Sequence, residues 1–339
     1  MALAIVLLIV SIAIILAAAE IFTNAVEWIG KLLNLGEGVV GSILAAVGTA
    51  MPETLIPMIA ILFVGNESSD EIGIGAILGA PFMLSTAAFF VTGAAVIIFA
   101  RRGRRTTEMR VNVTILGRDM RFFLIFYTFA IASAFIPVHP VKIAIAFVML
   151  GLYGLYVVRT FADEATESGG DLNPLHFHRH SPFHRHKPDP HLAMALFQFF
   201  FALAVIIIGA RIFVSNLETV SHDLGVPALI LALLIAPLAT ELPEKFNSVI
   251  WVRQGKDTLA MGNISGAMVF QSCIPVAVGL AFTPWELTTP ALVSAAIAIV
   301  STTWALISLK RRHYLSPYIL TTAGLFYLAF VLYVVVFEV

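Results

Sequence analysis

Long apolar runs separated by short polar links dominate this chain. Ten stretches are apolar and long enough to cross a bilayer: residues 2–25, 38–64, 71–100, 117–136, 140–161, 192–215, 225–251, 257–282, 288–308 and 315–337. A membrane helix needs about 20 predominantly apolar residues. A membrane barrel would show segments of about 10 residues with alternating polarity, and these runs are longer and uniformly apolar. The pattern therefore predicts an all-α integral membrane protein with ten transmembrane helices. The first run passes signal-peptide length and lacks a basic n-region, so no cleavable signal is expected. Two links stand out, the Arg-rich stretch 101–116 and the segment 162–191, rich in His, Pro and Gly. The latter divides the chain into spans one to five (1–161), a loop (162–191) and spans six to ten (192–339).

Composition agrees with this reading. Only 12% of residues are charged, against about 25% in a soluble domain. Mean hydropathy is +0.94. A soluble enzyme, a disordered chain and a nucleic-acid-binding domain are excluded. The net charge of −1 conceals where the charges sit. The odd-numbered loops hold 17 of the 20 basic residues, from Lys31 through the cluster Arg101, Arg102, Arg104 and Arg105 to Lys310, Arg311 and Arg312. Even-numbered loops hold acids instead, as at Glu67, Asp70 and Glu71. The positive-inside rule then places the odd loops in the cytoplasm and both termini outside the plasma membrane. The single Cys273 excludes an intrachain disulfide and a Cys-based metal cluster.

An internal repeat adds chemistry to the topology. Residues 46–54 read A-V-G-T-A-M-P-E-T, and residues 237–245 read P-L-A-T-E-L-P-E-K. Thr49, Pro52 and Glu53 thus match Thr240, Pro243 and Glu244. Downstream, Gly75, Gly79 and Ala80 match Gly262, Gly266 and Ala267. The motifs fall in spans two and seven. Five spans separate them, so the copies lie in opposite orientations. Inverted repeats with a site near the midplane are a signature of secondary transporters. The fold expected is two inverted five-helix repeats with discontinuous helices at the T-x-x-P-E motifs.

The motif suits a hard cation. A proline inside a helix removes one N–H and frees the carbonyl four residues back, here those of Gly48 and Ala239. A freed carbonyl at membrane depth must be satisfied by protein, water or an ion. Beside each stand a carboxylate, Glu53 or Glu244, and a hydroxyl, Thr49 or Thr240. Carboxylate, carbonyl and hydroxyl oxygens are the ligands that Ca²⁺ takes. The bland reading has each Pro kinking its helix and each Glu protonated against a neighbour. Duplication of the motif weighs against it, since intramembrane carboxylates are functional by default.

These duplicated G-T-x-x-P-E and G-N-x-x-G motifs in ten spans resemble the α-repeats of the calcium:cation antiporter superfamily, best known from sodium/calcium exchangers. The resemblance implies that Glu53 and Glu244 coordinate the transported ions, assisted by Thr49, Thr240 and backbone carbonyls. It also implies a gating bundle of spans one and six that rocks to expose the site alternately. It implies Ca²⁺ exchanged against Na⁺ or H⁺, with no tightly bound cofactor and no enzymatic activity. The chain departs from the pattern in several places. Ala76 replaces the usual Asn, Ala80 and Ala267 the usual Ser, and Leu84 and Gln271 stand where exchangers present Asn or Asp. Glu241 replaces a small residue after Thr240. Span seven has gained a carboxylate while spans three and eight have lost oxygens, which gives weight to proton coupling.

Glu241 and Lys245 lie four apart and share one helical face. Three arrangements remain open: an ion pair, Glu241 as a ligand with Lys245 snorkelling, or Lys245 as a built-in cation. Among weaker signals, Gln271 occupies a family ligand position and Asn263 retains the Gly-Asn motif, so both join the candidate set. Glu20 and Asn24 are candidates for gating, or an ordinary helix end. His176, His178, His180, His184, His186 and His191 form a candidate metal-binding tract, to be weighed against a solvated linker whose Arg179, Arg185 and Lys187 face anionic lipid. Competing readings are an antiporter of the same fold for Na⁺/H⁺, Mg²⁺ or transition metals, a cation channel, a metal sensor and a membrane enzyme. No selectivity filter supports a channel and no nucleophile motif an enzyme; a sensor would use the His-rich tract as its detector.

Overall fold

The computed structural model describes residues 1–33, 51–164, 174–180 and 190–338; for residues 51–52, 161–164, 179–180 and 242–247 the description is of the backbone. Every named element among the described residues is helical, and the strand-like pairing is a single bridge between Met109 and Leu315. In chain order the helices are α1 (Ala2–Leu32), α2 (Met51–Ile59), α3 (Glu67–Met83), α4 (Phe89–Arg101), α5 (Val113–Ser133), α6 (His139–Glu164), α7 (His176–His180), α8 (Leu192–Leu224), α9 (Ala228–Arg253), α10 (Asp257–Gln271), α11 (Ile274–Phe282), α12 (Thr289–Arg312) and α13 (Pro317–Phe337). Among the described residues, seven helical stretches are long and apolar enough to cross a membrane. Helix α5 is not among them, because Arg118, Asp119 and Arg121 crowd its first half. Many large apolar side chains point outward, among them Phe147, Phe197, Leu328 and Phe337. In water such a surface would aggregate; in a bilayer it faces lipid.

Helix α3 runs into α4 through a π-helical stretch at Leu84–Ala88. Ser85 and Thr86 there turn their hydroxyls onto the carbonyls of Pro81 and Phe82, and Ser301 on α12 donates to the Ser85 carbonyl at 2.6 Å. In the second half, α10 and α11 part at Ser272–Cys273, the position that matches this stretch in sequence. The expected break at the second T-x-x-P-E motif is corrected. Helix α9 is continuous from Ala228 to Arg253, through both Pro237 and Pro243. Each proline removes one hydrogen bond without ending the helix. Helix α3 lies against α9 so closely that a methyl group at Gly75 or Gly79 would overlap the carbonyl oxygens of Leu229 or Leu233. The Leu233 carbonyl is the one that Pro237 frees, and the Gly79 backbone covers it.

The helices form two packed groups. One apolar cluster joins α1, α2 and α8 to one side of α3 and α9, with α1 and α8 paired along their length. A larger one joins α3 to α6 and α9 to α13. Within the larger group, Trp285 pins the α11–α12 link. Its backbone takes the left-handed conformation (φ 49°), unfavourable for a bulky residue. The indole is fully buried, its Nε1 donates to the Ala130 carbonyl at 3.0 Å, and its ring lies on Gly279. The buried ammonium of Lys142 donates to the carbonyls of Pro284 and Trp285 at 2.5 and 3.4 Å. This explains why Lys142 stands apart from the basic residues of the odd loops. Trp285→Ala should remove about 3–5 kcal/mol of packing, read as a clear drop in the melting temperature of the detergent-solubilised protein. An unchanged melting temperature would show that the indole does not hold the link.

Candidate cation site

Glu53 falls in the first turn of α2 and is 6% exposed. Helix α2 packs against α9, which carries Thr240 and Glu241, both buried. The Thr240 hydroxyl donates to the Ala236 carbonyl at 3.1 Å. That bond uses the donor and leaves the oxygen lone pairs available to a cation. Ala239, the residue before Thr240, is half-buried. Glu244 and Lys245 follow on the α9 backbone, and their side chains lie outside the described residues. Gly48 and Thr49, the remaining members of the first motif, also lie outside them.

Gln271 ends α10 and is 1% exposed. Neither its amide nitrogen nor its amide oxygen has a hydrogen-bond partner among the described residues. Buried amides are nearly always partnered, so one left without a partner at a helix break is suited to water or an ion. Asn263 is half-buried two turns earlier. Leu84, at the matching position of the first half, is fully buried in the π-helical stretch and offers no oxygen. The structure thus places acidic, hydroxyl and amide oxygens on α2, α9 and α10, helices that pack in sequence through α9.

Asn24 is hydrogen-bonded to α7 and α8. It is buried on α1 and accepts hydrogen bonds from the His176 amide and the Gln198 side chain, both at 3.1 Å. Gln198, fully buried on α8, accepts one from the Phe177 amide at 2.9 Å. Leu175 adds an apolar contact with Trp28 and Ala195. The start of the His-rich tract is therefore tied to both α1 and α8. Gln198 was legible as a lone amide in an apolar run. Glu20, by contrast, is exposed. Among the described residues no group of three or more His, Cys, Asp or Glu side chains is placed to hold a metal ion. His184 and His186 lie outside them, and only the backbone of His180 is described.

Comparison with known proteins gives a consistent picture. The inner membrane protein YrbG of Escherichia coli is 23% identical over 287 residues, covering 85% of this chain and 82% of that protein. A protein named CaxA of Alkalimonas amylolytica is 22% identical over 322 residues, covering 92% of this chain and 91% of its own. The crystal structure of the H⁺/Ca²⁺ exchanger CAX superposes with a TM-score of 0.75 at 15% identity, over 97% of this chain and 82% of that one. At that identity the likeness is one of fold. A family model described as "Sodium/calcium exchanger protein" matches residues 3–162 and 194–338, two stretches that flank the His-rich segment and together take in most of the sequence. The chain is thereby a member of the sodium/calcium exchanger protein family of membrane antiporters.

Proposed function

We propose that this protein is a secondary active antiporter that exchanges Ca²⁺ for Na⁺ or H⁺ by alternating access at a carboxylate site. The site comprises Glu53 and Glu244, with oxygens from Thr49, Thr240, Glu241, Gln271, Asn263 and the carbonyls of Gly48 and Ala239. The observation that carries this reading is the burial of Glu53, Thr240 and Glu241 on two packed helices within a membrane fold. Two family-matched stretches on either side of 163–193 support the division into repeats 1–161 and 192–339 around a loop. The basic-residue bias supports a cytoplasmic loop and external termini.

The chemistry of coupling follows from charge. Opposed carboxylates without a cation are costly at membrane depth, so the empty site should resist changing sides. A divalent ion, monovalent ions or protons relieve that cost and compete for the same oxygens. The apolar Leu84, fully buried at the matching position of the first half, favours protons as the counter-ion, because a carboxylate exchanges a proton without further ligands. Purified protein in liposomes should take up radiolabelled calcium when a pH gradient, acid inside, is imposed in sodium-free buffer. Uptake only under an outward Na⁺ gradient would assign Na⁺ instead. Uptake under neither gradient would contradict calcium antiport. Mg²⁺ or transition-metal uptake in the same assay would reassign the cargo.

A further inference from the structure

Helix α10 carries Asn263 and Gln271, and it is held from outside at two points. At its first turn, Asp257 is 4% exposed and receives a two-pronged contact from Arg105: Nη1 to Oδ1 at 2.7 Å and Nη2 to Oδ2 at 2.9 Å. The remaining Arg105 donors go to backbone carbonyls, Nε to Thr106, Nη1 to Val252 and Nη2 to Glu108. All five guanidinium N–H groups are thereby used. The Arg110 amide adds a bond to Asp257 Oδ2, and the Asn112 amide one to Thr258 Oγ1. Two turns further along the same face, the Ser265 hydroxyl donates to Asp119 Oδ2 at 2.9 Å. Asp119 is 3% exposed on α5, and its other oxygen receives Tyr156 and Arg118.

These contacts are costly to assemble and converge on two points of α10, Asp257 and Ser265. Buried ion pairs are weak stabilisers but strong orienters where their geometry is complete. Thr258 and Ser265 are seven residues apart and share a face; Asn263 precedes Ser265 by two residues, about 200° around the helix. Fixing the Ser265 face therefore turns Asn263 to the opposite side and sets the rotation at which Gln271 ends the helix. We propose that Arg105 and Asp119 are positioning residues for the cation site, acting through Asp257 and Ser265 to fix the rotation of α10 and hence the placement of Asn263 and Gln271. This rests on the reading of those two amides as part of the site.

The test compares wild type with Ser265→Ala, Ser265→Thr, Arg105→Lys and Arg105→Gln. Calcium is titrated in gradient-driven exchange with liposomes, and hydrogen exchange of the α10 amides is measured on the same purified proteins. Ser265→Ala removes one hydroxyl and should fold. It should raise the KM for calcium roughly tenfold, the worth of one hydrogen bond to a charged group, at nearly unchanged maximal rate. Its α10 amides should exchange faster, and Ser265→Thr should restore both values. Arg105→Gln should shift KM in the same direction by more, with Arg105→Lys between it and wild type. Faster α10 exchange in Ser265→Ala with an unchanged KM would overturn the proposal, leaving the contacts as packing alone. Unchanged hydrogen exchange in both Ser265→Ala and Arg105→Gln would overturn it as well. Absence of calcium exchange by the wild type would instead overturn the cation-exchange reading, and this proposal with it.

Discussion

Glu53→Gln should abolish calcium exchange while leaving the protein folded. Two unit charges 4 Å apart attract by about 4 kcal/mol at an effective dielectric of 20, and a divalent ion feels twice the charge. Even after desolvation takes its share, losing one carboxylate should weaken calcium binding by about a thousandfold. Glutamine matches the shape of glutamate, and neutralising a carboxylate that is 6% exposed removes a charge that is costly at depth. The variant should therefore melt at or above the wild-type temperature in the absence of calcium. Calcium should raise the melting temperature of the wild type, because a ligand that binds only the folded state stabilises it. It should leave that of Glu53→Gln unmoved. Glu244→Gln should behave alike if the two motifs contribute equally. Wild-type exchange by both variants would remove these carboxylates from the site.

The second large effect concerns Gly79, where substitution should destabilise the fold without touching the ion ligands. A methyl group there would overlap the Leu233 carbonyl oxygen on α9, and the ring of Pro237 lies against the same position. Both neighbours belong to the backbone or to a rigid ring, so neither can swing away. Overpacking of this kind costs about 1–3 kcal/mol, and separating α3 from α9 would also uncover the carbonyl that Pro237 frees. Gly79→Ala should lower the melting temperature by several degrees, and Gly79→Leu should prevent isolation of folded protein. Gly151 provides the control. It sits in helix α6 and faces outward, and a methyl group added there would meet no heavy atom within 4 Å, so Gly151→Ala should cost nothing. Equal behaviour of the two alanine variants would contradict the close α3–α9 contact.

Much of the architecture was written in local pattern. Each of the ten apolar runs contains helix among the described residues, and seven helical stretches there are long and apolar enough to cross a membrane. The glycine pair Gly75 and Gly79, four residues apart on one helical face, is where α3 meets α9. The break at Pro243 was misjudged because proline spacing reports a lost hydrogen bond, not whether neighbouring helices compensate for it. Irregular turns fall instead at Ala60–Val64, and at Leu84–Ala88 and Ser272–Cys273, where hydroxyls capture backbone carbonyls. Arg105 read as one more basic residue of a cytoplasmic link. Its partner Asp257 is 152 residues away in the chain, and no periodicity announces such a pair. The same holds for Asp119 and Ser265, 146 residues apart. Gln271, in contrast, was a candidate through the ligand position that the family resemblance implies, and its buried amide is without a partner among the described residues.

The central claim is that ions cross only in exchange for one another. The most direct measurement is calcium efflux from liposomes preloaded with radiolabelled calcium, diluted into buffer with or without a counter-cation outside. An antiporter whose empty, doubly charged site cannot change sides should release little calcium into cation-free buffer, and release should accelerate sharply when unlabelled calcium, Na⁺ or H⁺ is supplied outside. Rapid release that is indifferent to the outside cation would contradict the account and describe a channel.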